Sequence, residues 1–301
     1  MKTEQSFTQT EGHHLSWLRV FVIGLLLFIA GLAVLILSAN PNLFPTVVMI
    51  GNFLIPVTFV AFFYEHRHLS RLSLPTTALS FFYGGVLGVL ASSLLEPIFV
   101  RQLNIVTVFV VGIIEEFAKI LGVLVIARRH KHDSEMDGLV LGAAAGMGFA
   151  ALESNGYVFS TFLASGGSLT AAVAITLLRG ILSPVGHGTW TAILAAVLFR
   201  ESESKHFRIN GKVVGAYLTV VLLHGLWDGL PGFVAAIFTP GLDVFVAQAL
   251  VGATGLIILW RLWVESKRRQ LMAQVVSIVH LDGKKPEEEL EEEEPEVWYE
   301  R

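Results

Sequence analysis

The chain has 301 residues, of which 53% are hydrophobic and only 15% charged, with a formal net charge of −4 and no cysteine. A soluble domain carries roughly a quarter charged residues, so this composition excludes an ordinary soluble globular protein. The lack of cysteine excludes a disulfide framework, a thiolate metal cage and a cysteine nucleophile.

In chain order, a polar head (1–16) precedes eight apolar segments near 17–38, 43–64, 76–96, 104–127, 136–157, 170–199, 212–238 and 242–263. Each is long enough to cross about 30 Å of hydrocarbon, which takes roughly 20 residues. The first has no small-residue cleavage site and is followed by further spans, so it reads as a membrane helix and not as a removed signal. The expected fold is therefore an all-α, polytopic membrane helix bundle of about eight transmembrane helices occupying 17–263. Loops 65–71 ("EHRHLSR"), 128–135 ("RRHKHDSE"), 200–208 ("RESESKHFR") and 261–269 ("RLWVESKRR") are basic or mixed, and the alternate loops are nearly uncharged. Under the positive-inside rule this pattern predicts that both termini are cytoplasmic. The last stretch, 282–301, holds ten of the 25 acidic residues, leaving the remainder of the chain net basic. Segment 264–301 reads as a cytoplasmic, acidic tail too polar to order itself. There is no basic, aromatic-interleaved patch of the kind that binds nucleic acid.

A charge at the bilayer centre costs at least a few kcal/mol and normally faces a bundle interior or a wet cavity. Here such groups are concentrated in four consecutive spans, 104–238. The fourth holds Glu115, Glu116 and Lys119, and the fifth holds Glu153. The sixth holds Arg179 and His187, and the seventh His224 and Asp228. Of ten histidines, only His187 and His224 lie deep in a span. At about 1.5 Å of rise per residue, Glu115, His187 and His224 all fall near the midplane. Lys119 stands four residues from Glu115 and three from Glu116, so its ammonium can pair with either carboxylate. Adjacent Glu115 and Glu116 point about 100° apart and need not share a task. His224 and Asp228, four apart, can form a metal clip or a carboxylate–imidazole pair. Arg179 does not titrate and reads as a carboxylate partner. Pro184 should bend the sixth span beside His187. Gly138, Gly142 and Gly146 recur every fourth residue, which permits close helix packing.

The ordered set "EEFAK" (115–119), "FAALES" (149–154), "HGTW" (187–190) and "HGLWD" (224–228) resembles the PrsW family of intramembrane proteases, itself distantly similar to the CAAX-processing and Abi proteases. The resemblance covers roughly residues 80–240. It implies a multi-pass cell-membrane protease that cuts a membrane protein substrate, such as an anti-sigma-factor-like or other single-span protein, in or near its membrane segment within the lipid bilayer. It assigns the catalytic set Glu115, Glu116, Glu153, His187 and His224, with Lys119, Arg179 and Asp228 in support.

Peptide hydrolysis needs an activated water, a proton donor for the leaving amine and stabilisation of the oxyanion. Glu115 or Glu116 is the expected base. Two arrangements stay open for the histidines. They can stabilise the oxyanion, or His187, His224 and Glu153 can hold Zn²⁺ with one position left for water. The alternative function is a proton-coupled membrane transporter that uses the same buried Glu, His, Lys and Arg groups. That reading predicts paired repeats, and the sequence shows none.

Overall fold

The computed structural model describes residues 16–67, 70, 72–128, 134–202, 206–235, 237, 239 and 241–282, the last six by backbone alone. The polar head before residue 16, the acidic stretch beyond residue 282 and parts of the charged loops lie outside the described residues. Among the described residues nine α-helices follow one another: α1 (Ser16–Ser38), α2 (Phe44–Glu65), α3 (Leu74–Phe99), α4 (Thr107–Ala127), α5 (Glu135–Ala164), α6 (Leu169–Leu182), α7 (His187–Glu201), α8 (Gly211–Val234) and α9 (Leu242–Asp282). No β-strand occurs among the described residues. The fold is all-helical.

Seven helical passes are long and apolar enough to cross a membrane, with α6 and α7 together forming one of them. The remaining pass, α4, is 21 residues long. At about 1.5 Å per residue it also reaches across the hydrocarbon, but it carries Glu115, Glu116 and Lys119. The chain is a multi-pass membrane protein.

Helix ends follow local chemistry. The side chains of Ser73, Ser134, Ser168 and Asn210 accept hydrogen bonds from the first backbone amides of α3, α5, α6 and α8, replacing partners those amides lack inside the helix. The α5–α6 turn places Gly166 and Gly167 at φ +68° and +89°, where a Cβ would be strained.

The sixth apolar segment is two helices where the sequence suggested one bent span. Residues Ser183–Val185 form a 3₁₀ turn and Gly186 takes φ −108°, ψ −117°. Pro184 has no amide to donate and its ring blocks the preceding turn, so the helix stops instead of bending. His187 consequently begins α7. The ninth helix runs past the expected membrane exit near 263 to Asp282.

At the centre stands α5, buried on every side from Gly138 to Ala151 and packed against α2, α3, α6 and α7. The glycine ladder explains its tightest contact. A Cβ on Gly138, Gly142 or Gly146 would collide with the backbone carbonyls of Ala195, Thr191 and His187 respectively, which are successive turns of α7. By contrast α1 fully buries only Phe28 and Leu35 and leaves much of its apolar surface outward.

Candidate active site

The polar groups of α4, α5, α6, α7 and α8 meet in one cluster. Glu115, Glu116 and Lys119 on α4 are 4%, 0% and 0% exposed, so each needs partners inside the protein. Lys119 Nζ donates to Glu116 Oε1 at 2.7 Å and lies 3.2 Å from Glu115 Oε2. It also donates to His187 Nδ1 at 2.8 Å, since an ammonium has only donors. The same ammonium sits 4.2 Å above the Phe149 ring. Both carboxylates of the pair thus meet Lys119, as the three- and four-residue spacings predict.

Their surroundings then diverge. Glu116 is enclosed, receiving hydrogen bonds from Lys119, from Thr191 Oγ1 at 3.3 Å and from His224 Nδ1 at 3.0 Å. An ionised carboxylate only accepts, so Nδ1 of His224 carries a proton, and in the neutral imidazole Nε2 is the atom with the free lone pair. That Nε2 faces Glu115 Oε2 at 3.6 Å and Asp228 Oδ2 at 3.5 Å. Glu115 Oε2 is buried and has no hydrogen-bond partner.

Glu153, from α5, lies 3.2 Å from His187 Nε2 and takes a 2.5 Å ion pair from Arg179 on α6. Arg179 is braced by Ser154 Oγ at 2.9 Å and by the Tyr157 ring, 3.9 Å beneath its guanidinium. The two imidazoles are 5.2 Å apart, and the fully buried Trp190 lies 5.3 Å from His187 and 4.9 Å from His224. Gly225 lets α8 approach α4, because a Cβ there would strike the Phe109 ring.

These groups border a cavity of about 870 Å³, within the usual range for small-molecule and peptide sites. Glu115, Glu153, His187, His224, Asp228 and Arg179 are on its wall. Among the described residues, Glu116 and Lys119 are not. Glu96, at the end of α3, is on the wall as well. In the sequence it stands at the end of the third apolar segment, five residues before Arg101, a position that does not separate a cavity residue from a lipid–water boundary residue.

Donor atoms of Glu115, His187 and His224 all lie within 4.8 Å of one another, a spacing that can hold a metal ion. The residues fit such an ion on three grounds. Two imidazoles and one carboxylate are a common donor set for a catalytic divalent cation. The buried Glu115 Oε2 accepts no hydrogen bond and has only the 3.2 Å ion pair with Lys119 to offset its charge. Nδ1 of His224 is held by a carboxylate, the usual outer contact of a ligating histidine. In addition, carboxyl groups of the cluster outnumber its two permanent cations, Lys119 and Arg179, so a dication offsets the excess.

A polytopic helical bundle with a buried His/His/Glu set on the wall of an internal cavity defines the class of membrane-embedded metallohydrolases. Residues 73–262 match the family described as PrsW family intramembrane metalloprotease. The chain belongs to that family. The match spans α3 through the first half of α9 and contains the entire cluster, and it favours a hydrolase over the transporter. No curated protein and no solved structure matches the chain. The protein is thus a membrane protease of a family described as metalloproteases, with Glu115, His187 and His224 as its possible metal site.

Proposed function

We propose that the protein is an endopeptidase that hydrolyses a peptide bond in or near the membrane segment of a membrane protein substrate. A single-span protein such as an anti-sigma factor is the kind of substrate the family resemblance suggests, which would place the enzyme in regulated proteolysis for signalling. The basic loops support a cell-membrane orientation with both termini cytoplasmic. The observation that carries the reading is the convergence of Glu115, His187 and His224 within 4.8 Å on a cavity wall in a member of a metalloprotease family.

In this reading Glu115, His187 and His224 hold a divalent cation, with Zn²⁺ the candidate its donor set suits. Such an ion, when bound, polarises the scissile carbonyl and acidifies a water molecule. Glu116 and Lys119 act behind them. Glu116 fixes the tautomer of His224 and Lys119 fixes the position of Glu116. Glu153 is the cavity carboxylate not used as a ligand, and its place beside His187 suits it to accept a proton from water and return it to the leaving amine. Arg179 keeps that carboxylate at the cavity wall. Asp228 reaches the cavity from the far side of His224. This assignment narrows the two-glutamate alternative, since Glu116 is enclosed and Glu115 is better placed as a ligand.

The test uses purified protein in detergent, analysed for bound metal by elemental mass spectrometry and for cleavage of single-span peptides. Near-stoichiometric divalent metal, with metal and cleavage both lost in His224→Ala, is the expected result. Full cleavage in a metal-depleted preparation would sink the metal assignment, and full cleavage in His224→Ala would sink the site.

A further inference from the structure

The cavity has unequal walls. At its back, α5 and α7 pack tightly, and α4 is held mainly by α3 and α8. To one side stands α6, whose Ile175, Leu178, Arg179 and Leu182 face the cavity as a single helical stripe. Opposite it, α9 contributes Val244 and Gln248. Below these, α9 closes onto the rest of the protein: a Cβ on Gly252 would meet Val185 at 3.2 Å and one on Gly255 would meet Thr189 at 3.2 Å. Thus one stripe of α9 lines the cavity near its start and packs against the 3₁₀ turn and α7 two turns later. The principal packing partners of α6 are α2, α5 and the 3₁₀ turn, whereas those of α9 are α7 and α8. Between α6 and the first turns of α9 there is no such packing among the described residues, and Leu178 (40% exposed) and Val244 (38% exposed) flank the gap.

We infer that this slot is the lateral entry through which the membrane segment of a substrate reaches the cavity. The inference rests on the protease reading and adds the face that the substrate uses. The slot opens along two transmembrane helices, so its occupant arrives from lipid. Its rims are apolar and its far end is closed by the Val185–Gly252 contact, so it suits one apolar chain and not a folded domain. A segment that is cut must also expose backbone amides and carbonyls, which need polar partners where water is scarce. The Gln248 amide on the slot-side wall and Ser183 beside α6 provide such groups. The slot is continuous with the cavity that holds Glu115, Glu153 and His187, so a chain entering by it meets the reacting groups directly.

The chain has no native cysteine, so single thiols report position cleanly. Leu178→Cys, Val244→Cys, Asn104→Cys at the loop end of the cavity and Leu27→Cys on the outer face of α1 would each be reconstituted in lipid bilayers. The probe is a lysine-flanked, single-span peptide of about 20 apolar residues whose one central cysteine is activated as a pyridyl disulfide, so that exchange with a protein thiolate forms the adduct and releases the pyridinethiol. Disulfide adducts should form at least about tenfold faster at 178 and 244 than at 27, because a docked segment holds its thiol at a raised effective concentration. Equal rates at 178, 244 and 27, or adducts at 104 with none at 178 and 244, would overturn the inference. Cleavage of the same peptide by wild-type protein is scored separately. Adducts at the slot without cleavage would uphold the entry face and count against the hydrolase reading, and cleavage without slot adducts would do the reverse. Linking the two thiols of a Leu178→Cys/Val244→Cys variant with a bifunctional maleimide should slow cleavage, and unchanged cleavage after linking would again reject the slot.

Discussion

The polar cluster has a dry half and a wet half, and the two are built from the same kinds of residue. In the dry half, Glu116, Lys119 and Thr191 are fully buried and bonded to one another and to His224, with Lys119 also reaching His187. In the wet half, Glu115, Glu153, His187 and Asp228 line a cavity of about 870 Å³, and Glu115 Oε2 accepts no hydrogen bond there. Residue type therefore does not decide role here. Two glutamates adjacent in sequence end on opposite sides of the division, because a 100° turn of α4 aims one at the cavity and the other at the α7–α8 seam. A carboxylate with three donors around it is a fixed support. A carboxylate facing open space is available to a ligand or to a proton.

The sharpest probe of this division is Glu153→Gln in the wet half. Cleavage should fall by about 10²–10⁴-fold, the usual contribution of a positioned acid–base group, with metal content unchanged. Turnover measured beside elemental analysis checks both, and loss of metal would mean that Glu153 is a ligand. Next comes Glu116→Gln in the dry half. A neutral carboxamide oxygen accepts from His224 Nδ1 more weakly than a carboxylate does, and metal affinity should weaken by about 10–100-fold, as for other outer contacts. Competition with a chelator measures this. A loss of turnover at saturating metal as large as that of Glu153→Gln would erase the distinction between the halves. Gly146→Ala attacks the frame behind both. The added methyl meets the His187 carbonyl, so α5 and α7 must separate, and stability should fall by about 1–3 kcal/mol. Thermal unfolding in detergent would show it, and an unchanged transition would mean that the α5–α7 seam is softer than its geometry. Smallest of all, Leu27→Ala on the outward face of α1 should shift stability by no more than about 0.5 kcal/mol and leave cleavage intact. A large effect would show that α1 carries a contact outside this chain.

Much of the site was legible because charge in hydrocarbon is conspicuous. Glu115, Glu116, Lys119, Glu153, Arg179, His187, His224 and Asp228 stand out in apolar runs, and all eight converge. Helical spacing also anticipated the Lys119 pairings and the glycine seam. What the spacing left open was direction. Two glutamates 100° apart must diverge, but which one meets the cavity depends on where α7 and α8 lie, and that is tertiary information. The same limit hid Glu96, whose place near a helix end is common to boundary residues and cavity residues. Pro184 signalled a disturbance of the sixth span, yet whether a helix bends or stops there depends on whether neighbours accept a kink. Here Gly186 and the α5 contact favour a stop. The continuation of α9 to Asp282 was missed because residues 264–276 are charged enough to resemble a tail, although Arg269 pairs with the buried Glu135 at 3.4 Å and is anchored to the bundle.

The burial of α5 has a consequence for how the protein is made. A helix enters a bilayer on its own when lipid is a better solvent for its surface than water is. For α1, nearly all of whose side chains face outward and are apolar, that condition holds as soon as the segment is synthesised. The fifth helix is rich in glycine and alanine over its buried stretch 138–151 and carries Glu153, and its mean hydropathy of 1.3 is far below the 3.2 of α1. Lipid therefore holds it less firmly than α1 until α3 and α7 are there to receive it. Membrane integration of this protein should accordingly be a collective event in which the catalytic centre assembles around its less lipid-soluble central helix.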